Sequence, residues 1–237
     1  MPELKQEKIT LKVSDGTEMQ VYVSQLAGTT PKAGLIVSQE AYGVNSHIRY
    51  VADRFAGEGY LVLAPELFHR TAPPGFEISY SSDFSLITPH FQGTSEKGFE
   101  ADIRACFQWL ETVGKVQKIG AVGYCMGGRA SFIANSILPL KAAVSYYGGR
   151  IATESLARAK DQQGPLLMFW GGLDKHILPE HVKSVADALR AAGKEFVNVE
   201  FSKADHGFNC NDRAAYNATA SDQAWALTLA FFKKHLG

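Results

Sequence analysis

Residues 118–130, KIGAVGYCMGGRA, restrict the folds open to this chain more than any other stretch. An apolar run from Ile119 to Val122 enters Gly123-Tyr124-Cys125-Met126-Gly127, and the residues beyond suit a helix. This reads as a strand, a very tight turn and a helix, with a nucleophilic side chain at the apex of a Gly-x-Cys-x-Gly elbow. Side chains two positions before and two after the apex would collide in such a turn, so glycine is needed at both. The first helical turn has unpaired N–H groups. Those donors and the helix dipole favour a thiolate and a developing oxyanion, and the Met126 N–H is the natural oxyanion donor. A dinucleotide loop of G-x-G-x-x-G form would need glycine at 125. It would also need an acid ending the next strand, where Tyr146 and Tyr147 stand. A buried structural cysteine is the other alternative, and the flanking glycines weigh against it.

The elbow sits in a chain that alternates strand and helix. KITLKV (8–13) and MQVYVS (19–24) alternate polar and apolar residues across the turn SDGTE, which predicts an antiparallel hairpin. Nearly continuous apolar runs follow at 34–37, 60–64, 119–122, 142–147 and 166–170, as in parallel strands buried on both faces. VNVEF (197–201) adds one more strand. Helical stripes fall between them: Ile48, Val51, Ala52 and Phe55; Phe99, Ile103, Cys106, Phe107 and Leu110; Val182, Val185, Ala186 and Leu189. A last helix runs from about Ser221 to Lys234, with Trp225, Leu229 and Phe232 on one face. The pattern predicts an α/β fold with right-handed crossovers and a mixed sheet. Residues 69–95 hold three prolines and several aromatics without a period, which reads as a lid or binding loop.

A nucleophile on an elbow needs an acid and a histidine downstream, in that order. Leu166–Trp170 runs into Gly171-Gly172-Leu173-Asp174, and VNVEF runs into Ser202-Lys203-Ala204-Asp205-His206. Cys125, Asp174 and His206 thus lie on three loops at one sheet edge, where sites of open α/β sheets gather. Asp174 would alternatively cap a helix starting near Pro179, and His176 and His181 are rivals for the base. Cys106 falls on an apolar helical stripe and reads as core, and burial is also the better reading of Cys210. None of the seven histidines stands at metal-ligand spacing with a cysteine, so no metal or other cofactor is expected.

Composition narrows the classes further. Lys plus Arg equals Asp plus Glu at 24 each, against the basic excess of a nucleic-acid binder. No apolar run reaches the roughly 18 residues of a membrane span. The start, MPELKQEKIT, lacks the apolar core of a signal peptide. Three scattered cysteines give no disulfide framework and suggest a reducing cytoplasm.

Three motifs together resemble the dienelactone hydrolase family of the α/β-hydrolase fold: Gln39-Glu40-Ala41-Tyr42-Gly43-Val44-Asn45, Gly123-Tyr124-Cys125-Met126-Gly127-Gly128, and Ala204-Asp205-His206-Gly207-Phe208. Gly172-Leu173-Asp174 and Ala64-Pro65-Glu66-Leu67 add to the likeness. The resemblance implies one α/β-hydrolase domain over 1–237, with Cys125 as nucleophile, His206 as base and Asp174 as orienting acid. It also implies that Glu40 touches the thiol at rest and helps activate it, and that the Ala41 and Met126 N–H groups form the oxyanion hole. Small esters or lactones would be the substrates, and homodimers are common among such enzymes. The family binds a substrate carboxylate through arginines, one of them in the lid. Here the lid stretch offers only Arg70 among Tyr80, Phe84, His90 and Phe91, while Arg213 follows the histidine loop. Tyr42, Tyr80, Phe84 and Arg213 are therefore the candidate substrate contacts. A mostly aromatic pocket would prefer neutral or aryl esters, and the same nucleophile would accept an activated phosphotriester. A non-catalytic binding protein on the same scaffold is the remaining alternative.

Overall fold

The computed structural model describes residues 3–237. Met1 and Pro2, the first residues of the stretch read above for a signal peptide, lie outside the described residues. The elements follow in chain order: β1 (Leu4–Lys12), β2 (Glu18–Leu26), β3 (Gly34–Ser38), α1 (Ser46–Gly57), β4 (Leu61–Pro65), α2 (Thr88–Gln92), α3 (Glu96–Thr112), β5 (Ile119–Tyr124), α4 (Met126–Ile137), β6 (Ala142–Tyr146), β7 (Leu166–Gly171), α5 (Pro179–Ala191), β8 (Phe196–Phe201) and α6 (Ala218–Leu236). The eight strands form one sheet in the order β1-β2-β4-β3-β5-β6-β7-β8. β1 and β2 form the expected antiparallel hairpin, and β2 also runs antiparallel to β4. All other neighbours are parallel. This is the mixed, mostly parallel sheet of the α/β-hydrolase fold.

The continuous apolar runs are the central strands. Every residue of β3, β4, β5, β6 and β7 is buried, which requires cover on both faces. Edge strand β8 instead leaves Val197, Asn198 and Glu200 exposed. From β3 the chain crosses through α1 to β4, towards the hairpin. From β5 it crosses through α4 to β6, the opposite way. Right-handed crossovers therefore place α1 on one face, and α3, α4 and α5 on the other. α6 returns to lie beside α1, with Trp225 4.6 Å from Phe55.

The crossovers change direction between neighbours β3 and β5, which opens a crevice at their C-terminal ends. Glu40 and Cys125 follow those two strands. Residues 69–95 cross this edge with a single 3₁₀ turn at Phe84–Leu86 and the short α2. The stretch is tied down at its base. Arg70 donates to both oxygens of buried Asp102 on α3 at 2.9 and 2.8 Å, and to Asp15 in the β1–β2 turn at 2.7 Å. Farther along, a β-bridge joins Glu77 to Gly43.

Candidate active site

The elbow forms as the glycine spacing requires. Cys125 stands between β5 and α4 with φ 56° and ψ −115°, a strained backbone for a residue with a side chain. Its N–H is anchored to the Tyr146 carbonyl of β6 at 3.0 Å. A β-carbon on Gly123 would strike the backbone of Gly127, and one on Gly127 would strike the carbonyls of Ser38 and Gln39. The second clash shows how tightly the loop after β3 lies against the elbow. The Gln39 side chain holds that loop: its Oε1 accepts from the Leu67 N–H at 3.0 Å, and its Nε2 donates to the Glu40 carbonyl at 3.2 Å.

Three loops converge on the thiol. His206 Nε2 lies 3.1 Å from Cys125 Sγ. The opposite ring nitrogen, Nδ1, lies 2.7 Å from Asp174 Oδ2. Asp174 is buried, and its second oxygen accepts from the N–H groups of His176 at 2.7 Å and Ile177 at 3.0 Å. These donors precede α5, whose N-cap is Leu178, so Asp174 does not cap that helix. Of the rival bases, His176 packs edge-on against His206 with ring centres 5.5 Å apart. His181 instead accepts the Leu178 N–H at the helix start. Tyr147 covers another side of the His206 ring at 5.1 Å.

Burial opposes a charged His206, but the facing Cys125 thiolate and the Asp174 hydrogen bond outweigh it and push the imidazole up to about 10. Burial likewise opposes a charged Asp174, yet the hydrogen bond and charge of His206 and the two backbone N–H groups hold it below the usual carboxylate range. Met126 opens α4, where its N–H has no partner within the helix. The N–H of Ala41, on the adjoining loop, donates to no group among the described residues.

Glu40 departs from what the resemblance implied. It is fully buried, and neither of its carboxylate oxygens has a hydrogen-bond partner among the described residues, the thiol included. Its neighbour is Arg213, with Nη1 3.7 Å from Oε1. The thiol is turned to His206 instead.

The candidate substrate contacts divide. Tyr42 and Tyr80 pack with their rings tilted by 49° and centres 4.5 Å apart, and the Arg213 guanidinium lies within 6 Å of both rings, at 5.8 and 5.7 Å. With Ser81, Asp205 and Asp212 they line a cavity of about 560 Å³. Its lining is mixed rather than mostly aromatic: the two tyrosines and Ala214 and Ala215 alternate with Ser81, Asp205, Asp212 and Arg213. Phe84, His90 and Phe91 stay outside that lining and pack against other rings of the loop. Phe84 touches the rim, 6.3 Å from Tyr42, and is 49% exposed. Arg70 is spent on Asp102 and Asp15 and does not reach the site. Cys106 and Cys210 are both buried, and burial, then the Glu40 charge, pushes the Cys210 thiol up to about 12.

Sequence reasoning missed Gln39, Tyr147 and Arg150. Arg150, half exposed, shares the lining of a second, smaller cavity with Cys125. The available signal was its place after Gly148-Gly149, just past the C-terminal end of β6 on the edge that carries the other loops. Among the described residues no group of three His, Cys, Asp or Glu side chains is placed to hold a metal ion, and no helix is long and apolar enough to cross a membrane.

The family model described as "Dienelactone hydrolase family" matches residues 19–236. The chain belongs to that family. It is 33% identical over 238 residues to a "Putative carboxymethylenebutenolidase" of Escherichia coli (strain K12), covering 94% of this chain and 85% of that protein. A relative of the same name from Synechocystis is 31% identical over 97% of this chain and 98% of its own length. Among solved structures, a "Putative Dienelactone Hydrolase" from Klebsiella pneumoniae superposes with a TM-score of 0.89 at 28% identity, covering 98% of this chain and 99% of that one. A dienelactone hydrolase-like promiscuous phosphotriesterase from metagenomic libraries shares the fold, with a TM-score of 0.84 at 22% identity over 99% of each chain. This member of the dienelactone hydrolase family is accordingly an ester hydrolase acting on small molecules.

Proposed function

We propose that the chain hydrolyses small esters or lactones by covalent catalysis at Cys125, without a metal. One observation carries this reading: a cysteine held at φ 56° on the elbow, with its sulfur 3.1 Å from His206 Nε2 and the far side of that ring 2.7 Å from Asp174. Residues 69–95 serve as the substrate-binding loop over it, within one α/β-hydrolase domain.

The Cys125 thiolate attacks the carbonyl carbon. A C–S bond forms while the carbonyl π pair moves onto oxygen, facing the N–H groups of Ala41 and Met126. The oxyanion collapses, the ester C–O bond breaks, and His206 gives its proton to the departing alkoxide. Water then attacks the thioester and yields its proton to His206. The second collapse releases the acid and restores the thiolate. Asp174 keeps Nδ1 protonated and Nε2 aimed at the sulfur throughout. Glu40 belongs to the same reading. Where Cys125 still carries its proton, Glu40 released from Arg213 would be a second base able to remove it; in the present arrangement the thiol faces His206 instead. A thiolate is itself a good leaving group, so esters of acidic alcohols should react best.

Hydrolysis of 4-nitrophenyl acetate by wild type and Cys125→Ala, both in EDTA, tests the reading. The expected result is EDTA-insensitive wild-type activity and a loss of about a thousandfold or more in the variant. Equal rates in the two proteins would refute it. An activated phosphotriester offers the same nucleophile a neutral centre that also develops charge on oxygen. Release of 4-nitrophenol from paraoxon above the Cys125→Ala background tests that second activity.

A further inference from the structure

The substrate-binding loop is fastened to the loop after β3 at Phe76, Glu77 and Ile78. The Ile78 N–H donates to the Tyr42 carbonyl at 3.2 Å, and a β-bridge joins Glu77 to Gly43. Phe76 lies so close that a β-carbon on Gly43 would stand 2.3 Å from its carbonyl oxygen, and Gly43 takes φ 84°. The contact therefore depends on glycine at 43.

Arg49 completes the fastening from α1. Its Nη1 donates to the Val44 carbonyl at 2.6 Å and to Glu77 Oε2, and its Nη2 donates to Glu77 Oε1 at 3.3 Å. One guanidinium thus joins the backbone of the loop after β3 to a carboxylate of the substrate-binding loop, in the two-pronged geometry that fixes direction as well as distance. The two side chains are 30% and 40% exposed, and an ion pair in that setting adds little to stability. What it contributes is position.

The group within the fastened stretch is the Ala41 N–H. It donates to nothing among the described residues, so no hydrogen bond of its own sets its direction. Its direction comes from the residues on either side. Gln39 braces the stretch at one end through Leu67 and the Glu40 carbonyl. At the other end the Tyr42 and Val44 carbonyls are held by Ile78 and Arg49. A donor to a developing oxyanion is effective only when it is aimed beforehand.

We propose that Arg49 and Glu77 are positioning residues for the oxyanion hole: they latch the substrate-binding loop onto Tyr42–Val44, and the Ala41 N–H is aimed at the oxyanion only while the latch is closed. A substrate that seats the loop thereby completes the hole. The assignment rests on the reading of Cys125 as nucleophile and of Ala41 as an oxyanion donor.

The test sets two reactions of the same sulfur side by side. Hydrolysis of 4-nitrophenyl acetate passes through an oxyanion in both acylation and deacylation. Alkylation by iodoacetamide does not: sulfur attacks the CH₂ carbon, a C–S bond forms and iodide leaves. Arg49→Gln should lower kcat about tenfold, less than the hundredfold or more that follows outright loss of an oxyanion donor. KM and the alkylation rate should stay within about twofold of wild type. Glu77→Gln should show the same pattern with a loss of about threefold to tenfold. The double variant should be no more than about twofold worse than Arg49→Gln alone, since both residues act through one contact. An unchanged kcat, losses that multiply in the double variant, or alkylation falling in step with hydrolysis would overturn the assignment. Ala41→Pro, which deletes the N–H itself, separates the readings. If it hydrolyses like wild type, Ala41 is no oxyanion donor and the latch has nothing to aim. If it is alkylated normally but dead to hydrolysis, while the Arg49 and Glu77 variants turn over like wild type, only the latch fails.

Discussion

Asp174 and Glu40 are two buried carboxylates, each just past the end of a sheet strand on the same edge of the sheet, and they are held in opposite ways. Asp174 accepts two backbone N–H groups on one oxygen and faces His206 with the other. Glu40 has no hydrogen bond on either oxygen among the described residues, and its nearest cation is Arg213 at 3.7 Å. A fully bonded buried carboxylate is fixed in direction and stays ionised. One without hydrogen bonds is costly to keep charged and cheap to move. The site thus joins an anchored acid that orients the histidine to a loosely held acid beside the nucleophile loop.

The sharpest way to break this contrast is Asp174→Asn. It keeps the shape but removes the charge and the acceptor that set the His206 tautomer. A fall in kcat of about a thousandfold or more on 4-nitrophenyl acetate is expected, the scale seen when a triad loses its orienting charge. A loss under about tenfold would mean that Asp174 only shapes its loop.

Next in size is the pH profile. His206 is raised to about 10, so its proton is present through neutral pH and lost as pH rises through that value. Since the proton goes to the leaving alkoxide, kcat/KM should hold across neutral pH and fall on the far alkaline side. Any Asp174→Asn activity that remains should lose its alkaline limb at lower pH, because the residue holding the proton is gone. An unmoved limb would assign that ionisation elsewhere.

Stability should separate the two acids more gently. Asp174→Ala strands two N–H groups and the imidazole, and should cost about 1–3 kcal/mol in urea unfolding at pH 7. Glu40→Gln strands no hydrogen bond but leaves Arg213 without its carboxylate at 3.7 Å, so it should cost less, about 1 kcal/mol. The smallest expected effect lies at the rim. Phe84→Ala should change kcat/KM on acetate esters by less than about twofold, since the ring is half exposed and beyond the cavity lining. A larger change would bring the rim into the substrate site.

The local chemistry was legible in the order of residues along the chain. The glycines around Cys125 admit few other turns, the all-apolar runs mark strands covered on both faces, and the order cysteine, aspartate, histidine assigns each residue to its loop. These signals are local because steric fit in a turn and periodicity along an element depend on near neighbours in the chain. Which groups face one another across elements was left to the tertiary structure. It decided that Arg70 is spent on Asp102, that the Tyr42–Tyr80 cavity mixes aromatic and charged groups, and that Glu40 pairs with Arg213 while the thiol faces His206. The reason is the reversal of the crossovers between β3 and β5. It brings loops far apart in the chain to one crevice, and no periodicity in the sequence records which side chains in that crevice already have partners.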